Sequence, residues 1–145
     1  MLAQIDTLIR ENTLCVLATA GKEGPHTSLM AYVASSDGKQ IFLVTPKDTL
    51  KYRNLCHQPK VSLMVDTRER APRGQVQALT INGLAVEMTV PAELVSTRAL
   101  FEEQHPHLRR LMQSEQLAFM RVAITSVQLL DGPQKAHFVQ MPPQP

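Results

Sequence analysis

Residues 40–56 read "QIFLVTPKDTLKYRNLC", and this stretch decides the fold. Ile41, Phe42, Leu43 and Val44 are apolar without alternation, the pattern of a strand that wants burial on both faces. Such a strand lines a barrel with one face and offers the other to a second subunit or a ligand. Pro46 breaks the run, and Asp48 to His57 reads as one short helix stopped before Pro59. A strand that ends in Thr45 and passes into a helix start leaves unpaired amides at the positive end of the helix dipole. The Thr45 and Thr49 hydroxyls and the Lys51 ammonium add donors there, so the corner suits a phosphate monoester. The same residues also allow a plain helix start, with Asp48 or Thr49 as cap and Lys51 and Arg53 solvated. Neither phosphate-binding glycine loop is present, which argues against nucleotide hydrolysis and a dinucleotide fold.

Upstream, Leu2, Ile5, Leu8 and Ile9 recur at helical spacing, predicting an amphipathic helix over 2–12. "TLCVLATA" (13–20) is a strand, "GKEGP" (21–25) a turn and "HTSLMAYVASS" (26–36) a second strand. Asp37-Gly38 turns the chain into the apolar strand that ends in Thr45. Downstream, "KVSLMVD" (60–66) is a fourth strand, and the polar loop "TRERAPRGQ" (67–75) carries Arg68, Arg70 and Arg73. A long strand follows over 76–90 with a bend or bulge at Asn82-Gly83. Leu94, Val95, Leu100 and Phe101 mark a helix over 92–104, "HPH" interrupts it, and 108–117 adds a turn or two. Strands over 118–130 and 135–141 and a proline-rich tail, 141–145, complete a single domain spanning 1–145. Consecutive antiparallel strands with few helices indicate a mainly β fold, a small barrel or half-barrel.

The chain has 145 residues, 43% apolar and 19% charged, with a net charge of +2. That charge is too small to argue for nucleic acid, and no apolar run reaches the roughly 20 residues that span a bilayer. The start "MLAQIDTLIREN" lacks a secretory pattern, and Cys15 and Cys56 lie outside any C-x-x-C spacing, so a cytoplasmic chain with two reduced thiols is expected. His105 and His107 flank Pro106, but no further ligand stands at companion spacing, so they read as surface histidines and no metal site is expected. The seven methionines are dispersed as core filling.

Residues 14–65 resemble the FMN-binding split-barrel family of pyridoxamine 5′-phosphate oxidase. The resemblance is carried in order by Leu17-Ala18-Thr19, Gly24-Pro25-His26, Asp37-Gly38, Thr45, Thr49-Leu50-Lys51, Asn54-Leu55 and Pro59 with Val61-Ser62-Leu63. It implies a homodimeric split β-barrel flavoprotein with FMN at the subunit interface, acting as an oxidoreductase on a small molecule. By the same resemblance His26, Thr27, Ser28 and Leu29 run along the isoalloxazine ring, Val44 and Thr45 border the ring or ribityl chain, and Thr49 and Lys51 hold the phosphate. Gln77 and Ala78 close the site from the second subunit. Two positions where the family often has arginine are Leu50 and His26 here, leaving Arg53, Arg70 or Arg73 to compensate. The chain has no tryptophan and ends in "MPPQP", unlike the enzyme that names the family, so true pyridoxamine phosphate oxidation is not expected. The C-terminal pattern is similar to haem-utilisation relatives. Haem, with His137 as an axial ligand, and the deazaflavin coenzyme F420 are therefore the alternative cofactors.

Overall fold

The computed structural model describes residues 2–144. In chain order the elements are α1 (Leu2–Glu11), β1 (Leu14–Gly21), β2 (Gly24–Ala31), β3 (Val33–Ala34), β4 (Gln40–Pro46), α2 (Leu50–His57), β5 (Lys60–Asp66), β6 (Gln77–Glu87), α3 (Pro91–Gln104), β7 (Leu117–Asp131) and β8 (Lys135–Gln140), with two 3₁₀ turns at Pro106–Leu108 and Leu111–Gln113. The strands form one sheet in the order β2-β1-β5-β6-β7-β4-β3, and β8 pairs with β7. All pairings are antiparallel. Because β2 runs into β3 with one residue between them, the two ends of the sheet belong to the same stretch of chain, and the sheet must curl. The result is a barrel joined where β3 pairs with β4 and split along β2.

The expected single strand over 26–36 is interrupted at Tyr32. Its amide leaves the ladder to reach the Thr13 carbonyl at 3.2 Å, and its hydroxyl donates to the Ile9 carbonyl at the end of α1. Burial holds that phenol above its usual pKa. The kink lets one segment serve two sheet edges, a tertiary demand that local propensity does not encode.

Alternation along the strands sends Leu17, Leu43, Leu63, Leu79, Ile81, Val122 and Leu129 inward, where they are fully buried together with Ile5, Leu8 and Ile9 of α1 and Leu55 of α2. Each such side chain contributes on the order of 1.5–3 kcal/mol by leaving water. β4 is indeed apolar on both faces, and its second face is packed within the chain. Val44, with Val33, Met88, Phe101, Met112 and Phe119, forms a second cluster outside the barrel, and Phe101 of α3 packs edge-on against Phe119, centroids 6.2 Å apart. The chain therefore covers this face itself. His105 is a further correction: it is buried, and its Nε2 donates to the Tyr32 carbonyl at 2.8 Å. His107 stays exposed.

The bend at Asn82-Gly83 is a register shift against β7. A Cβ on Gly83 would lie 2.6 Å from the Ala123 carbonyl oxygen, so only glycine allows this approach. β6 ends at Glu87 rather than at 90. The tail is tied down through Gln144, whose amide donates to the Lys39 and Ile124 carbonyls; Pro145 lies outside the described residues. Among these residues no helix is long and apolar enough to cross a membrane.

Candidate functional site: the split in the barrel

β2 pairs with β1 from Gly21↔Gly24 to Leu14↔Ala31. Its other edge has no ladder among the described residues, although β2 lies against β4. Over eight residues, about 23 Å at 3.3 Å per step, this edge presents backbone donors and acceptors without strand partners. His26 stands opposite the buried Thr19 and Ser28 opposite the buried Leu17, so both side chains face inward at the split and are half-buried. Thr27 and Leu29 point the other way, and Leu29 is 69% exposed.

Helix α2 closes the end of the barrel beside this split. Thr49 is its N-cap, accepting from the Tyr52 amide at 3.3 Å. The cap competes with the expected phosphate cradle. The Thr49 hydroxyl donates to the Pro46 carbonyl at 2.9 Å, and the Thr45 hydroxyl lies 3.1 Å from Thr49 in a fully buried position. Both hydroxyl protons thus have acceptors within the chain. Lys51 is half-buried and forms no hydrogen bond or ion pair among the described residues. It shares a helix face with the buried Asn54 and Leu55, three and four residues on. Arg53 lies on the exposed side, where with Lys22, Leu50 and His57 it borders a cleft of about 340 Å³ between α2 and the β1–β2 turn.

Two groups of residues carry structure here that sequence reading did not single out for a role. Asn54 is buried and donates to Thr19 Oγ1 at 3.1 Å. A Cβ on Gly21 would fall 2.0 Å from Asn54 Oδ1, so the glycine admits the side chain that seats α2 on β1. Tyr52 donates to Glu87 Oε1 at 2.7 Å, and Lys47 stands 3.8 Å from the same carboxylate. The Glu87 hydrogen bond holds the Tyr52 phenol above its usual pKa. Neither contact has a local signal, since the partners are 35 residues apart in each case.

The remaining predicted positions are not gathered at the split. Val44 is under α3. Gln77 and Ala78 begin β6, whose other end, Glu87, bonds to α2; ten steps of strand set them about 33 Å from that end. One chain therefore does not unite them with Lys51. Arg68 pairs with Asp66 at 3.2 Å and Arg70 reaches the Glu11 carbonyl at 3.2 Å, beside a cavity of about 290 Å³ on the outer face. Arg73 is exposed in the same loop, and His137 is exposed on β8. Among the described residues no cluster of metal-ligating side chains is present.

The donor set fits a flavin mononucleotide in part. An open strand edge with two half-buried polar side chains fits the hydrogen-bonding rim of the ring. Lys51 and the Leu50 and Lys51 amides fit the phosphate, whereas the two threonine hydroxyls are committed elsewhere.

The sequence profile of pyridoxamine 5′-phosphate oxidase matches residues 1–131. A search of curated proteins finds no match. Among solved structures, the fold is shared with a haem-binding protein of Mycobacterium smegmatis at a TM-score of 0.81 and 19% identity, covering 93% of this chain and 55% of that one. This chain thus spans about half the length of that protein. The haem storage protein of Vibrio cholerae superposes at 0.71 and 21% identity, covering 93% and 92% of the two chains. An FAD-binding protein of Mesorhizobium loti superposes at 0.73 and 16% identity, covering 89% and 91%.

Proposed function

This chain belongs to the pyridoxamine 5′-phosphate oxidase family, and from that premise we propose that it is an FMN-binding flavoprotein, a homodimeric cytoplasmic oxidoreductase acting on a small molecule. The observation that carries the proposal is the unpaired inner edge of β2, with His26 and Ser28 facing inward and Lys51 on the helix at its end. Backbone groups of that edge orient the ring, His26 and Ser28 supply side-chain donors beside it, and Lys51 supplies a cation for the phosphate. When bound, the flavin supplies hydride or electron transfer; the chain supplies orientation and exclusion of water.

The outer face supports the proposed second subunit. Leu29, Val16, Met64, Thr80, Gln128 and Phe138 form one row across six strands, and its two ends, Leu29 and Phe138, are 69% and 64% exposed. A second copy on this face brings its own Gln77 and Ala78 to a site they do not reach within one chain. Haem is the second reading, supported by the haem-named neighbours and by His26, the one half-buried histidine of the five. Absorption and sedimentation of the purified protein test these readings. Oxidised-flavin bands on a dimer support FMN, and a Soret band supports haem. A colourless monomer that takes up neither cofactor overturns both.

A further inference from the structure

We infer that this site holds the flavin by its ring and only weakly by its phosphate, so that FMN and phosphate-free riboflavin bind with similar affinity. The inference rests on the flavin reading above and specifies which part of the ligand is recognised.

It follows from counting protons and charges at the start of α2. The Thr49 hydroxyl has one hydrogen, and the Pro46 carbonyl takes it at 2.9 Å. Thr49 Oγ1 then accepts twice, from the Tyr52 amide at 3.3 Å and from Thr45 Oγ1 at 3.1 Å. Thr45 has no exposed surface. Thr45 Oγ1 also lies 3.3 Å from the Pro46 carbonyl, so the two hydroxyls and that carbonyl form one closed network. Turning either hydroxyl toward a ligand breaks an internal bond, which offsets much of the gain from a new phosphate contact. The Tyr52 and Arg53 amides are also used, the latter by the Thr49 carbonyl at 3.2 Å. Two helix amides, those of Leu50 and Lys51, and the Lys51 ammonium remain; Arg53, three residues beyond Leu50, is on the exposed side of the helix. Leu50, an apolar side chain, stands beside Lys51, and the Glu87 carboxylate engages Lys47 at 3.8 Å and Tyr52 at 2.7 Å. A dianionic phosphate there meets one half-buried lysine, and a single ion pair that water still reaches contributes little. The β2 edge, by contrast, is the same for both ligands.

Equilibrium titration of the full-length chain with FMN and with riboflavin, followed by flavin fluorescence, tests this. The expected FMN preference is less than about tenfold, the effect of one partly solvated charge pair. Leu50→Arg is expected to raise FMN affinity by about fivefold or more and to leave riboflavin unchanged. A wild-type preference for FMN above about tenfold overturns the inference while the flavin reading stands. A Leu50→Arg chain without gain also overturns it, because the phosphate then lies away from α2. If neither flavin binds, the flavin reading itself falls and this inference with it.

Discussion

The outer surface of the barrel is finished in two different ways. Over β4 and β7 the chain covers itself, with α3 laying Phe101 onto Val44 and Phe119. Over β2, β1, β5 and β6 no element of the described chain returns, and Leu14, Leu29 and Leu84 stand 43%, 69% and 41% exposed. One half is a folding core, and the other leaves apolar side chains uncovered by the described chain, the surface on which the proposed dimer depends. The seam along β2 borders the second half, so the cofactor reading and the dimer reading depend on the same strand.

Breaking the covered half gives the largest effect. Phe101→Ala removes a ring with no exposed surface and is expected to cost about 3–5 kcal/mol of unfolding free energy, measured by denaturant titration. Gly21→Ala comes next. Its new methyl group meets Asn54 Oδ1, and displacing a buried amide that donates to Thr19 costs about 1–3 kcal/mol, with FMN binding lost as α2 shifts. Lys51→Ala is expected to weaken FMN binding by about 1 kcal/mol and to leave riboflavin unaffected, read by fluorescence titration. Leu29→Asp sharpens the contrast most. Its effect on the stability of one chain should stay within about 0.5 kcal/mol, while sedimentation shifts from dimer to monomer. The smallest effect separates the two cysteines. Burial pushes the Cys15 thiol up to about 12, so at neutral pH, well below that value, it holds its proton and resists alkylation, whereas Cys56 is exposed. Mass spectrometry of the native protein should show one adduct, and of the denatured protein two.

The contrast also explains what could be read in advance. Strand alternation, the Asp37-Gly38 turn and the Asn82-Gly83 irregularity are local patterns, and each appears where the sequence places it. The unalternating run of β4 correctly announced burial on both faces, but an apolar pattern does not name its partner, and α3 fills the place expected for a ligand or subunit. At the phosphate corner the sequence offered two readings. The structure shows Thr49 as a cap, through a bond to an amide three residues on that needs no partner outside the segment. Tyr32 carries no signal in the sequence, and the His105-Pro106-His107 pattern points to a surface position that the structure overturns for His105. Their hydrogen bonds, to Ile9 and to each other's segment, join parts of the chain 23 and 73 residues apart.

The most direct test of the seam is amide hydrogen exchange with and without FMN, resolved by peptide. Added FMN should slow exchange at residues 24–31 of β2 and at the start of α2, where amides without chain partners acquire acceptors. Protection confined to the outer-face cavity beside Arg68 and Arg70, or no protection at saturating FMN, would contradict a flavin bound along the split.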